Sequence, residues 1–275
     1  MNRRGFSLAE LMVALVVAGI IGIALTRLLI NQSRFVAAQD GYMKARAGAR
    51  AGLNVVLAEL RGVTFGGLVS ATSDSVTVRV PYASGLTCTQ PSGGYQAIAL
   101  FPVDSANYAS ASISGWAWRD DVGDWTFESS ATLTTGVTSD CSTAAPAVSV
   151  LTNGRVVRVT PNNALTTAGQ AAYLYQEIRY ALAESAEIPG RTALWRTVLS
   201  TGTREELVAP FDETSTFTFL VGEGLTAQTV VPSPLDSARG LRIRLVGQSE
   251  ETPEGRTSVT EFDLTTDIVF VNRVR

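Results

Sequence analysis

The sequence has 275 residues, with 25 acidic and 22 basic side chains, a net charge of −3 and no histidine. The acidic balance and the scattered arginines argue against a dedicated nucleic-acid surface, which clustered basic residues would mark. The lack of histidine excludes Ser-His-Asp and Cys-His catalysis and histidine metal sites, and the only lysine, Lys44, lies within a predicted helix.

The chain begins with a short polar segment, MNRRG, and continues into an apolar run that reaches Ile30. A helix needs about 20 apolar residues to cross a bilayer core of about 30 Å, so this run can span a membrane. Glu10 interrupts it early, and a carboxylate inside a membrane costs roughly 2.5–3.5 kcal/mol on insertion scales. A segment that serves only as an anchor has no use for that charge.

The motif Gly-Phe-Ser-Leu-x-Glu, from Gly5 to Glu10, resembles the N-terminus of type IV pilins and pseudopilins. The resemblance implies a class III leader that a prepilin peptidase removes between Gly5 and Phe6 before it methylates Phe6. It also implies that Glu10 pairs with the N-terminal amine of a neighbouring subunit, so that two buried charges compensate each other. The alternatives are a signal-anchor helix with a chance glutamate, and a Glu10 that snorkels to the cytoplasmic interface.

The basic residues Arg3 and Arg4 precede the span, which predicts a cytoplasmic N-terminus and an outward head. A secretory signal peptide has its apolar run before the cleavage site, whereas here the run follows it. We predict a single-pass inner-membrane protein with a periplasmic head, which the resemblance then places in an extracellular or periplasmic filament. The implied partners are other minor and major pilins, the prepilin peptidase and the inner membrane, and nucleic acid is not expected.

Beyond Ile30 the pattern turns amphipathic, with apolar residues at spacings of three and four. They are Phe35, Ala38, Tyr42, Ala45, Ala49, Leu53, Val56 and Leu60. No proline occurs before Pro81, so one helix is predicted from about Phe6 to Arg61. The glycines at 41, 48 and 52 are expected to weaken it by up to ~1 kcal/mol each relative to alanine.

After the helix, Gly62 to Asp74 is rich in Gly, Ser and Thr and reads as a linker. The chain then becomes β-rich, with predicted strands at Ser75–Pro81, Tyr95–Val103, Ala111–Trp118 and Trp125–Leu133. Asn153-Gly154, between two β-branched runs within Val148–Thr160, predicts a two-residue hairpin.

Cys88 and Cys141 are the only cysteines, and both lie in the predicted outward domain. In an oxidising periplasm such a pair usually forms a disulfide. Two free thiols or a metal site are the alternative, although two cysteines without histidine make a poor zinc site. The region they flank, about 84–145, matches no known family pattern and is predicted to be an insertion.

From Tyr173 onward a second resemblance begins, carried by a YxL…LWR hairpin with a turn at Glu184–Gly190, an ELV…F.F segment, an R.R strand and a closing VNR. This order is similar to that of PilW-type minor pilins and of the J-type pseudopilins of type II secretion. The stretch GLNVVLAELR at the helix end is also typical of minor pilins. The last strands are expected to form a meander.

Two features of the middle region have alternative interpretations. Asp120, Asp121 and Asp124 crowd one turn, which is either a solvated hairpin or a calcium loop, although the ordered calcium-loop spacing is missing. Aromatic residues alternate around the same turn and either cover a core or form an exposed adhesive surface; they are Trp116, Trp118, Trp125 and Phe127.

Together these features predict an α+β, pilin-like fold, in which a long N-terminal helix carries an antiparallel β-rich head. The predicted divisions are a leader at 1–5, a membrane or filament-core helix at 6–30, its amphipathic continuation at 31–61, a linker at 62–74 and the head at 75–275. The predicted function is that of a minor pilin that primes assembly of a type IV pilus and sits at or near its tip.

Several other functions remain possible from the sequence. They are a J-type pseudopilin of the type II secretion pseudopilus tip, a tip subunit for adhesion or DNA uptake, and a tethered enzyme restricted to carboxylate chemistry. No catalytic cluster supports the last, and neither a cofactor nor a metal is predicted.

Overall fold

The computed structural model describes residues 8–88, 94–106, 108–109, 111–143, 147–160, 166–254 and 256–270. Gly5 and Phe6, the predicted processing positions, lie outside the described residues. The described part consists of one long N-terminal helix followed by an antiparallel β-rich head. The predicted α+β fold class is therefore confirmed.

Helix α1 runs without a break from Leu8 to Leu60. This continuity agrees with the prediction from the lack of proline before Pro81, since proline is the usual cause of a helix break. The helix closes where the amide of Arg61 donates to the carbonyl oxygen of Leu57 at 3.1 Å. The chain then turns and enters the head.

The head is built from fourteen strands in the described residues, together with three short helical turns. The strands are β1 Leu68–Ala71, β2 Ser75–Thr87, β3 Gln96–Leu100, β4 Gly115–Arg119, β5 Trp125–Ser129, β6 Thr132–Thr135, β7 Arg155–Thr160, β8 Ala171–Glu184, β9 Thr192–Val198, β10 Thr203–Phe211, β11 Thr216–Val221, β12 Thr226–Gln228, β13 Ala238–Gln248 and β14 Glu261–Val269. The short turns are α2 Pro102–Ser105, α3 Ser139–Ser142 and a 3₁₀ turn at Leu235–Ser237.

These strands form one antiparallel sheet in the order β12-β11-β13-β10-β9-β8-β2-β3-β7-β6. Strand β1 pairs with β2, β14 pairs with β13, and the β4–β5 pair is attached to β8. The predicted hairpin around Glu184–Gly190 is confirmed, because β8 and β9 pair on either side of that turn. The predicted closing meander is correct for β11, β13 and β14, which pair in that order, but not for β10. Strands β10 and β11 are consecutive but both pair with β13, whose 11 residues give one edge long enough for both.

The C-terminal third of α1 packs on the face of the sheet formed by β10, β13 and β14. Its buried residues repeat at spacings of three and four, as an amphipathic helix requires; they are Gly41, Ala45, Ala49, Gly52, Leu53, Val56 and Leu60. The predicted face is therefore correct from Ala45 onward. Full burial begins only at Gly41, however; Ala37 and Ala38 are partly buried, and Phe35 and Tyr42 remain exposed.

Two glycines allow the helix and the sheet to approach closely. A Cβ on Gly52 would lie 3.1 Å from Cζ of Phe211 and 3.4 Å from Cδ2 of Leu194. On the sheet side, a Cβ on Gly247 would overlap the carbonyl oxygen of Ala45. The sequence suggests only that the helix glycines weaken α1, whereas the structure shows that Gly52 makes this contact possible.

The predicted linker and the predicted Asn153-Gly154 hairpin both need correction. Residues 62–74 contain strand β1, which pairs with β2. Asn153 does turn the chain, with a φ of 66°, but residues 148–152 form no strand. Strand β7 pairs instead with β3 and β6, so both of its edges are occupied. Val148 packs beside the two cysteines rather than in the sheet.

Cys88 and Cys141 are joined by a buried disulfide, with their Cα atoms 5.0 Å apart and a sequence separation of 53. Next to it, the guanidinium of Arg158 donates to both carboxylate oxygens of Asp140, at 2.7 and 2.8 Å. These hydrogen bonds from Arg158 lower the pKa of Asp140. The region predicted as an insertion, about 84–145, contributes β3 to β6 to the common sheet.

The aromatic residues of β4 and β5 cover hydrophobic cores rather than form an adhesive surface. Trp116 and Trp118 are buried, with their ring centroids 4.6 Å apart. On the opposite face of the sheet, Trp125 is partly buried and packs against Tyr173 at 4.6 Å. Of the two interpretations drawn from the sequence, the core interpretation is confirmed.

We predict that Gly247→Ala lowers the free energy of unfolding by about 1–3 kcal/mol, because the added methyl group forces the sheet away from the backbone of Ala45. Gly224→Ala is the matched control, since a Cβ at that position meets only the Thr226 hydroxyl oxygen, at 3.9 Å. Thermal and urea unfolding of both variants measure the difference. Equal stability of the two variants would contradict the close contact at Gly247.

We predict that the double variant Cys88→Ser/Cys141→Ser still folds but melts at a lower temperature. The disulfide closes a loop with a sequence separation of 53, which is worth ~4 kcal/mol in the chain-entropy model, and less if the bond is strained. Differential scanning calorimetry of the wild type, with and without reductant, checks this result. Two alkylatable thiols in the folded wild-type protein, purified from an oxidising compartment, would contradict it.

Candidate functional site

The candidate site is the N-terminal half of α1, where the sequence motif and the exposed surface coincide. Glu10 lies in the first turn of the described helix and is exposed to solvent. Gly5 and Phe6 precede the described residues, so the structure gives no geometry for the predicted cleavage bond. The described residues from Leu8 onward show the surface on which Glu10 lies.

The described N-terminal half of α1 carries an uncovered apolar surface. Every large hydrophobic side chain from Leu8 to Val36 is exposed. The helix is long and apolar enough to cross a membrane, and none of its most apolar window is buried within the chain. Burial of apolar side chains is the main favourable term in folding and association, so a surface of this size requires a lipid or protein partner.

The exposed arm of α1 is longer than a membrane is thick. At a rise of 1.5 Å per residue, the helix from Leu8 to Ile30 measures about 35 Å, slightly more than a bilayer core of about 30 Å. The first buried residue of the helix is Gly41, and the part that precedes it, from Leu8 to Asp40, is about 50 Å long. The span therefore leaves a stretch of helix between the membrane surface and the head.

Charged residues occur only towards the two ends of this arm. Glu10 lies near the inner end, while Arg27 and Arg34 lie towards the head, and the residues from Leu11 to Thr26 carry no charge. The hydroxyl of Thr26 donates to the carbonyl oxygen of Gly22 at 2.9 Å, so this polar group is satisfied within the helix. Such a helix is compatible with lipid or with other apolar helices.

A line of small residues, which was not predicted, follows Glu10 along the helix. Ala14, Ala18 and Gly22 recur at intervals of four, and the first two line a shallow apolar groove that also includes Glu10. Small residues at this spacing allow the backbone of a second helix to approach closely. The signal was present as the spacing of alanine and glycine within the apolar run.

The other end of α1 is fastened to the head by a charged network. The Arg196 guanidinium binds the Glu59 carboxylate at 3.0 Å, and the phenol of Tyr180 donates a hydrogen bond to the same carboxylate. Burial, followed by the charge of Glu59, raises the pKa of Tyr180, so the phenol stays protonated as a donor. Glu205 completes the network by binding Arg196 at 3.2 Å.

The acidic turn at Asp120, Asp121 and Asp124 is organised by its own hydrogen bonds. The Asp120 carboxylate accepts the amides of Val122 and Asp124 at 3.0 and 2.8 Å, and Asp121 accepts the side-chain amide of Gln170 at 2.9 Å. Across the described residues, no group of three or more acidic or cysteine side chains is arranged to hold a metal ion. These hydrogen bonds belong to the turn of the hairpin that joins β4 and β5.

The N-terminus of the chain matches one family model, described as the prokaryotic N-terminal methylation motif, over residues 1–26. No curated protein and no solved structure matches the chain. The matched segment includes Gly5, Phe6 and Glu10 and the first part of the exposed apolar arm. Together, the motif and the arm support a type IV pilin-like protein, a pilin or pseudopilin with an N-terminal helix suited to a membrane anchor.

Proposed function

We propose that this chain is a minor pilin, a structural subunit that primes assembly of a type IV pilus and sits at or near the pilus tip. The observation that carries the proposal is the uncovered apolar arm of α1, which begins within a methylation motif and ends where the head docks at Gly41. A protein built in this way exchanges one apolar environment for another, first the lipid and then a bundle of similar helices.

The line of small residues on the arm supports packing against other helices. Lipid tails are as apolar as leucine, so helices associate in a membrane through close van der Waals packing and hydrogen bonds rather than through the hydrophobic effect. Ala14, Ala18 and Gly22 permit that approach on the side of the helix that carries Glu10. The partners of this surface are therefore the N-terminal helices of other minor and major pilins.

Glu10 sets the register of that packing. A carboxylate within an apolar bundle needs an opposite charge, and removing either member of a buried ion pair costs more than the pair itself contributes. The N-terminal amine of a neighbouring processed subunit supplies this charge in our proposal. Because the pair forms at one longitudinal offset only, it selects one position along the otherwise uniform apolar helix.

The proposed site of action is the inner membrane, with the head in the periplasm until the subunit enters the filament. Arg3 and Arg4 lie before the span, where the positive-inside rule keeps them in the cytoplasm. The buried disulfide between Cys88 and Cys141 agrees with this location, because disulfides persist in oxidising compartments such as the periplasm.

A J-type pseudopilin of type II secretion has the same kind of leader and helix, and it is the second candidate because the strand order from Tyr173 onward resembles both groups. A deletion strain separates the two candidates. Loss of surface filaments with normal protein secretion supports the minor pilin. Loss of secretion with normal filaments supports the pseudopilin.

We predict that the protein isolated from native filaments begins at Phe6 with an N-methylated amine. The polar leader before the apolar run and the match to the methylation motif are the grounds for this result. Intact-mass and N-terminal peptide mass spectrometry measure it directly. An intact Met1 in the filament fraction, or cleavage beyond Ala24, would contradict the proposed function.

We predict that Glu10→Ala sharply reduces incorporation into filaments while membrane insertion and processing after Gly5 stay near normal. The substitution leaves a neighbour's ammonium uncompensated, at a cost of ~3–5 kcal/mol, yet makes the helix itself more apolar. The measurement compares subunit abundance in membranes with abundance in sheared filaments. Glu10→Asp, which keeps the carboxylate, is the matched control and should lose less. Equal incorporation of the alanine variant and the wild type would remove Glu10 from the mechanism.

A further inference from the structure

The head carries a long, regular strand edge along β14 that no other described strand covers. Strand β14 pairs with β13 along its full length, from Gly240–Val269 to Gln248–Glu261, without a bulge. In the described part of the chain no strand pairs with its other side. The strands that pair on one side only are otherwise shorter: β1, β5, β6 and β12 have 4, 5, 4 and 3 residues, whereas β14 has 9. Strand β10 also has 9 residues, but it meets β13 at Phe211 and its pairing with β9 has two register shifts, whereas β14 is regular.

The register shows which backbone groups of β14 point outward. The amide of Phe270 donates to the carbonyl oxygen of Arg239 at 2.8 Å. In an antiparallel pair, hydrogen-bonded positions alternate with positions that face away. The odd-numbered residues from Glu261 to Val269 therefore direct their N–H and C=O groups away from β13, and all five of them are exposed.

The usual protections of an edge strand are missing from β14. Natural proteins blunt such edges with lysine, proline, bulges or short strands, and the sequence EFDLTTDIV has neither lysine nor proline. Its aspartates do not guard the edge either, since they bind back onto β13. Asp267 is bound by Arg242 at 2.7 Å, and Asp263 is bound by Arg244 at 2.7 Å.

We propose that this edge is a docking site for an extended strand of a neighbouring pilin-like subunit, which adds to the sheet beside β14. Main-chain hydrogen bonds supply the affinity in such strand addition, and alternate side chains supply the specificity. Asp263 and Asp267 already bind arginines of β13, so the charge left on the solvent face for a basic side chain of the added strand is that of Glu261. This inference rests on the proposed function, because it assumes a neighbour anchored in the same membrane.

Antiparallel pairing with β14 of a second copy is not compatible with that anchor. Such pairing creates a two-fold axis perpendicular to the sheet, which reverses any helix lying on the sheet face. Helix α1 lies on that face, over β13 and β14, so two copies would point their membrane helices in opposite directions.

Site-specific photo-crosslinking of the full-length chain, in cells that make the other pilin-like subunits, tests the occupant. The photoreactive residue replaces Thr265 on β14 or, as the control, the exposed Thr226 on the short edge strand β12. We expect a crosslink from position 265 to a β-strand peptide of a different leader-bearing subunit, and none from position 226. No crosslink at 265, equal crosslinks at both positions, or a crosslink to a second copy would each overturn the proposal.

A pair of substitutions at the same position tests the backbone contact. Thr265→Pro removes an outward N–H that β13 does not use, whereas Thr265→Val keeps it. We expect recovery of the partner with the proline variant to fall about tenfold, and recovery with the valine variant to match the wild type. Unchanged recovery with a folded proline variant would overturn the proposal. If that variant loses its disulfide or its protease resistance, the crosslinking result decides.

The same samples separate this proposal from the function on which it rests. Wild-type protein that begins at Phe6 and enters filaments, yet gives no crosslink at position 265, overturns the strand addition alone. Wild-type protein that keeps Met1 overturns the proposed function, whatever the edge of β14 binds.

Discussion

The docking of one third of a helix onto a sheet, with the other two thirds left uncovered, is the constraint on which the rest of this structure depends. Gly247 and Gly52 bring α1 close to the sheet, and Ala49, Val56 and Leu60 are fully buried there. No described residue of the head covers the helix from Leu8 to Val36. The close-packed C-terminal third of α1 thus continues into a longer apolar part whose exposure to water is unfavourable.

This division explains why the helix is unbroken and why its end is fixed. A break between arm and head would let the head move relative to the arm, and the offset that we propose for Glu10 would then not determine where the head lies. No proline interrupts α1, and the ion pair of Glu59 with Arg196, with Tyr180 as a further donor, holds its last turn on the sheet. In the proposed filament, the register of the helix bundle therefore determines the position of the head.

The sequence predicted those features that depend on local chemistry and periodicity. The long helix follows from its apolar run and the missing proline, and the buried face from Ala45 onward follows from spacing alone. The β8–β9 hairpin follows from two β-rich runs around a polar turn. Contacts between distant segments were not predictable in this way. The place of β10 beside β13, the partners of β7 and the approach of Gly247 to Ala45 depend on residues far apart in the chain. Asn153 turns the chain as expected, but a turn does not determine which strands pair.

The two proposed contact surfaces differ in the kind of information that each can carry. The apolar arm supplies affinity, but hydrophobic contact is non-directional and does not fix the position of one helix along another. Glu10 adds a single fixed offset to it. The edge of β14 adds direction of another kind, because backbone donors and acceptors match only a strand in one register and alternate side chains select its sequence. Any related helix can contact the arm, so the choice of a neighbouring subunit must come from the head. The open edge of β14, with 9 residues, can make that choice. In this view, the arm lets the subunit join a filament and the head determines which neighbour it stands beside.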